Sequence, residues 1–205
     1  MNKFVLAGMA VTLGATSPSF AGSIAFSGDF SNKNAPAAPG GRCAGLTVNI
    51  GNGPFPFFAT GTSSVGAFTS SQSHCLDSGP PILPGAAPVP YYDGLFTYTF
   101  SDGKTLSGIY DGLLTNSGVA GIIDNVQHFT ITGGTGAFAD ATGSFLGIGQ
   151  IKFAGGPPVA TLKISEGTIV ARGVVEPASW ATMLVGFGAI GGAMRSRRRF
   201  AVSFA

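Results

Sequence analysis

The stretch Leu95-Phe96-Thr97-Tyr98-Thr99-Phe100 sets Phe96, Tyr98 and Phe100 on one face and two threonines on the other. Alternation of this kind in strand-forming residues predicts a half-buried strand. Asp102-Gly103 then supplies a hairpin turn, since glycine accepts positive φ without steric cost. Thr105 to Tyr110 returns with Leu106 and Tyr110 on one face and Gly108 between them, and Asp111-Gly112 reads as the next turn. Val126 to Thr132 is a further strand with Gln127, Phe129 and Ile131 on one side. Ser144 to Phe153, the turn Gly155-Gly156-Pro157-Pro158, Val159 to Glu166 and Gly167 to Arg172 continue the series. Upstream, Gly45 to Ile50, Phe55 to Thr60 and Ser64 to Thr69 carry a weaker version of the pattern.

Nowhere in this body does a 3.6-residue period persist free of Gly or Pro. Short strands with regular turns predict an all-β fold, a single antiparallel barrel of about eight strands. Glycines inside strands (Gly108, Gly147, Gly149) favour a barrel over a sandwich, because bends and close backbone approaches use such positions. The Pro-rich stretch Gly79 to Pro90 reads as a loop or rim excursion.

Composition sharpens the picture. The chain has 205 residues, with 33 Gly, 13 Pro, 17 Phe, 44% apolar and only 10% charged residues. That length suits one domain plus targeting segments. Its apolar content excludes a disordered polyelectrolyte, and glycine without a three-residue period excludes collagen. The net charge of +2 comes from the ends, where Lys3, Arg195, Arg197, Arg198 and Arg199 lie. Between Gly22 and Val174, Lys33, Arg42, Lys104, Lys152, Lys163 and Arg172 are outnumbered by Asp29, Asp77, Asp93, Asp102, Asp111, Asp124, Asp140 and Glu166. With no basic stripe, nucleic acid is not an expected partner.

Residues 1–21 have the form of a secretory signal peptide: Lys3, an apolar run from Phe4 to Leu13, and small residues at Ser19 and Ala21. Gly8, Gly14 and Pro18 disfavour the alternative of a buried N-terminal helix. Cleavage is expected between Ala21 and Gly22, leaving residues 22–174 as the barrel domain. The tail, residues 175–199 followed by 200–205, carries Glu176-Pro177, then Trp180, then an uncharged run from Ala178 to Met194, then Arg195-Ser196-Arg197-Arg198-Arg199. Those seventeen residues make a helix of roughly 25 Å, near the length of a transmembrane span, with Trp180 at the outer interface and the arginines as a cytoplasmic anchor. This order resembles the PEP-CTERM sorting signal of Gram-negative bacteria, with Val175 standing where the first proline of that motif falls. The resemblance implies recognition by an exosortase, transient residence in the inner membrane, delivery to the cell surface or medium, and a link to exopolysaccharide or biofilm. An ordinary C-terminal membrane anchor is the alternative.

Within the body, Ile131-Thr132-Gly133-Gly134-Thr135-Gly136-Ala137-Phe138-Ala139-Asp140-Ala141-Thr142-Gly143 resembles a segment of the allene oxide cyclase and dirigent barrel superfamily. The resemblance implies that barrel fold and no particular activity. Read physically, Gly133, Gly134, Thr135 and Gly136 form a structural corner between strands, with Phe138 folding into a barrel mouth as a plug. A phosphate cradle is excluded, since no Lys follows the glycines and no helix opens after them.

Candidate chemistry is sparse. His128 is opposite in phase to Phe129 and reads as a surface residue, and His74-Cys75 fails as a nucleophile pair because neighbours in a strand face opposite ways. Cys43 and Cys75 are the only cysteines, and export favours a disulfide between them, with buried free thiols as the alternative. Asp93, Asp102 and Asp111 each precede Gly, where turn chemistry accounts for them. No cofactor, metal set or catalytic residue is expected. The leading expectation is therefore a non-enzymatic exported protein whose partners are the secretion machinery with its signal peptidase, an exosortase and extracellular polysaccharide. Its rival is a small-molecule-binding or cyclase-like barrel with Phe96, Tyr98, Phe100, Tyr110, Phe129 and Phe145 around an apolar pocket. A cavity above ~300 Å³ with a buried acid would favour the rival, and rings filling the lumen would favour the first.

Overall fold

Phe26, Phe30, Phe68, Phe96, Tyr98, Phe129 and Phe145, contributed by different strands, meet in one buried cluster because each occupies the inward phase of its strand. The computed structural model describes residues 21–35, 38–39, 41–51, 58–153 and 155–172, together with the isolated helical positions 185 and 187. The strands are β1 (Ala21–Lys33), β2 (Ala38–Pro39), β3 (Leu46–Ile50), β4 (Phe58–Ser63), β5 (Gly66–Leu76), β6 (Val89–Phe100), β7 (Thr105–Asn116), β8 (Ile122–Gly134), β9 (Thr142–Lys152) and β10 (Val159–Arg172). A 3₁₀ turn over Gly136–Phe138 joins β8 to β9.

All pairings are antiparallel, and the β5–β6 pairing closes the sheet into an eight-stranded barrel. One stave is shared: β4 pairs with Gly66–Thr69 of β5, and β3 pairs with Gln72–Leu76 of the same strand. β1 lies against β4 and β10, so its first residue pairs with the last residue of the barrel, Ala21 with Arg172.

The expected strands are present with corrections, residues 55–57 of the expected Phe55 to Thr60 strand lying outside the described residues. β1 was not foreseen from the pattern, and β4 runs on to Ser63 before a turn at Ser64-Val65, so β5 begins at Gly66. Asp111-Gly112 is not a turn but the middle of β7, where Asp111 pairs with His128 across β8 and Gly112 lies opposite Tyr91. Val159 to Arg172 is one strand, bent at a bulge where Glu166 has φ +52°. A second bulge in β6, with Asp93 at φ +51°, shifts the alternation so that Phe96 and Tyr98 point inward above it and Tyr91 points inward below it.

Packing explains the glycines within strands. Phe96 pairs with Gly108 and Tyr110 with Gly94, and each ring leans over the glycine opposite. A Cβ on Gly108 would lie 2.8 Å from Phe96 Cε1, and one on Gly94 would lie 2.5 Å from Tyr110 Cδ1. Ring contacts fill the middle of the lumen, among them Phe129–Phe145 and Phe68–Tyr98, each stacked at 4.3 Å between centroids. At one end Phe138 closes the barrel as expected, 5.4 Å from Phe100 between ring centroids. The opposite end is built differently.

Candidate functional site

At that open end the inward positions turn from rings to amides. β1 continues its inward phase from Phe30 to Asn32 and Asn34, and β8 continues from Phe129 to Gln127 and Asn125. β5 contributes His74 and β6 contributes Tyr91, brought inward by the Asp93 bulge. These side chains, with apolar walls from Val48, Ile50, Leu76, Leu114, Ile123 and Ile151, enclose a cavity of about 50 Å³. Pro80, from the Pro-rich stretch, lies at its rim. That stretch is the excursion expected, held by Asn116 Nδ2 donating to the Pro81 carbonyl (3.0 Å) and Gly121 N–H to the Ile82 carbonyl (3.1 Å).

Hydrogen bonding inside the cavity is incomplete. The Tyr91 hydroxyl donates to Asn125 Oδ1 at 2.8 Å, and His74 Nδ1 lies 2.8 Å from the Tyr110 hydroxyl. Gln127 Oε1 is left without a partner in the protein, as are Asn32 Oδ1 and Asn34 Oδ1. Asn32, Asn34 and Gln127 are 1%, 4% and 2% exposed, so bulk water does not reach these carbonyls. A fourth such atom, Gln72 Oε1, lies deeper in the lumen, outside the cavity lining.

The described side chains of the cavity carry no formal charge. Burial, with the Arg42 charge as a lesser cause, pushes the His74 imidazole down to about 3, so it is neutral at pH 7. Burial likewise raises the Tyr91 and Tyr110 phenols above their ordinary value, so both remain protonated. Among the described residues no Asp or Glu lines the cavity, and no group of His, Cys, Asp or Glu is placed to hold a metal ion. Such a site can recognise hydrogen-bond donors. It presents neither a buried acid nor the ~300 Å³ that a cyclase-like pocket calls for.

The other singled-out residues are dispersed. Cys43 and Cys75 form a disulfide that ties the loop before β3 to β5. His74 and Cys75 do face opposite ways: the histidine enters the lumen while the cysteine is buried outside it, beneath the loop that carries Cys43. His128 is exposed and lies 3.2 Å from Asp111 on the outer wall, beside a shallow groove of about 440 Å³ that also includes Arg42 and Tyr92. Gly133, Gly134, Thr135 and Gly136 form the corner at the plugged end, where Gly136 has φ +61° and Thr135 Oγ1 accepts the Thr105 N–H at 2.9 Å. None of Phe96, Tyr98, Phe100, Tyr110, Phe129 and Phe145 lines the cavity; they fill the lumen. Gly22 is in β1 opposite Ala171. The signal segment up to residue 20, and Glu176, Pro177, Trp180, Arg195, Arg197, Arg198 and Arg199, lie outside the described residues. Among the described residues no helix is long and apolar enough to cross a membrane.

The pocket amides carry little signal in the sequence, although Gln127 shares one side of its strand with Phe129. Extending that phase two residues back reaches Asn125. Tyr91 had no such signal, because the bulge at Asp93 breaks the count. Compared with known proteins, the chain matches no family model, no curated sequence and no solved structure.

Proposed function

We propose that this chain is an exported cell-envelope protein of a Gram-negative bacterium, a disulfide-bonded barrel delivered by its signal peptide and sorted by an exosortase. The observation that carries this reading is the Cys43–Cys75 bond, because disulfides persist in oxidising compartments and are rare in the cytosol. On this reading the barrel is non-enzymatic cargo of the allene oxide cyclase-like type, held in the inner membrane by its tail and then released or retained at the surface, where extracellular polysaccharide is its partner. Mass spectrometry of the protein from its native host tests the proposal. A mature form starting at Gly22 is expected, with the tail shortened near Glu176-Pro177. Intact termini at Met1 and Ala205 together with two free thiols would overturn it.

A second reading is favoured by the cavity. Unpaired buried carbonyls cost stability, about 1–3 kcal/mol each when nothing satisfies them, and three of them converge here. Functional sites are where such costs persist. On this reading the barrel is a small-molecule binder as well as an exported protein.

A further inference from the structure

The open-end cavity accepts a narrow range of chemistry. Its unpartnered atoms are three carbonyl oxygens, Asn32 Oδ1, Asn34 Oδ1 and Gln127 Oε1. Carbonyl oxygens repel anions, so a phosphate or carboxylate is disfavoured. A cation is disfavoured too, because no carboxylate among the described residues lines the cavity to offset its desolvation. The Arg42 charge, which already lowers the basicity of His74, opposes it further. What remains is a neutral donor. An amide carbonyl is satisfied by one O–H or N–H, so the set calls for two or three donors on a compact frame. A volume of about 50 Å³ holds roughly three to five water-sized groups, and the aliphatic walls from Val48, Leu114 and Ile123 suit the carbon skeleton between them.

We propose that the open end of the barrel binds a small neutral polyol, or the diol end of a larger molecule, whose adjacent hydroxyls donate to Asn32, Asn34 and Gln127. The proposal rests on the second reading above and gives it a ligand class. Hydroxyls fit this set because each donates one bond to a carbonyl while its oxygen remains free to accept. A site built to pair hydroxyls rejects an analogue that lacks them, since its own buried acceptors are then left unpaired.

The test uses the full chain, oxidised and ¹⁵N-labelled, in detergent micelles, with the side-chain amide resonances of Asn32, Asn34 and Gln127 as reporters. Glycerol is the probe, and 1,2-dimethoxyethane, which has two oxygens and no donor, is the control. Glycerol is expected to shift all three resonances saturably, at a concentration at least tenfold below any effect of the ether. Gln127→Leu should raise the glycerol half-saturation point at least tenfold while its aromatic near-ultraviolet signal stays unchanged. Should that variant fail to fold, Asn34→Leu replaces it, because the Asn34 backbone N–H keeps its bond to the Pro158 carbonyl. Equal binding of glycerol and the ether would overturn the polyol proposal and leave the pocket reading standing. No saturable shift with either compound, the result if the cavity holds ordered water only, would overturn both.

Discussion

Removing the Cys43–Cys75 bond tests how far this barrel depends on an oxidising compartment. The bond closes a loop across a sequence separation of 32 residues. In the chain-entropy account, a loop of that length restricts the unfolded chain by about 4 kcal/mol at 25 °C. That is a large part of the 5–15 kcal/mol typical of a folded domain. The double variant Cys43→Ala/Cys75→Ala leaves no orphan thiol and alters little else, although Cys75 is buried and its replacement leaves a small void. Equilibrium unfolding in urea should show a loss of about 4 kcal/mol, and thermal unfolding a midpoint lower by roughly 8–16 °C. The dependence on urea should also steepen, because a chain no longer tied across the loop exposes more surface when it unfolds. Wild-type protein treated with reductant should behave like the variant. A loss below about 1 kcal/mol, or an equal loss with a changed native aromatic spectrum, would refute the argument that the bond acts on the unfolded state.

Three other outcomes are expected. His74 is held neutral when folded, with its imidazole pushed down to about 3, while the unfolded chain takes up a proton below about 6.5; its contribution to stability is complete above that pH and declines as pH falls, by about 1 kcal/mol between pH 6 and 5. His74→Gln should flatten that slope in urea titrations run at both pH values. Gly108→Ala should cost about 3 kcal/mol or more, because its Cβ would lie 2.0 Å from the Thr130 backbone oxygen of the paired strand as well as 2.8 Å from Phe96 Cε1, whereas Gly79→Ala, with open space around it, should cost nearly nothing in the same assay. Glu166→Gly should raise the thermal midpoint, by about 0.5–1 kcal/mol of stability, since Glu166 is an exposed non-glycine residue at φ +52°.

Much of the fold was legible because Phe96, Tyr98 and Phe100 of β6, Leu106 and Tyr110 of β7, and Phe129 and Ile131 of β8 alternate with outward residues over the stretches free of the Asp93 bulge. The Phe138 plug and the corner at Gly133–Gly136 were legible for a related reason: positive-φ glycines beside a lone phenylalanine leave few other arrangements. β1 was not, because Ser23, Ser27 and Gly28 dilute its alternation and Phe26 and Phe30 are its only rings. The Asp111-Gly112 pair misled because its residue types suit a turn, while in the barrel the glycine answers to the Tyr91 ring on the next strand, which no local pattern reveals. The pocket was hidden for both reasons at once. Amides in the inward phase resemble solvent-facing positions when read along one strand, and their convergence depends on the stagger of strands far apart in sequence.

In the proposed mature chain, the pairing of Gly22 with Ala171 would fix how the molecule stands on a surface. Both boundaries of the barrel leave at the end that Phe138 plugs, and the amide-lined cavity opens at the other. With the tail anchored as proposed, residues 173–177 are all that separates Arg172 from the start of the apolar run, a reach of at most about 17 Å when fully extended. The sealed base would then sit close against the bilayer and the cavity would look outward, away from lipid, so that a soluble compound arriving from outside would meet the mouth without passing the membrane.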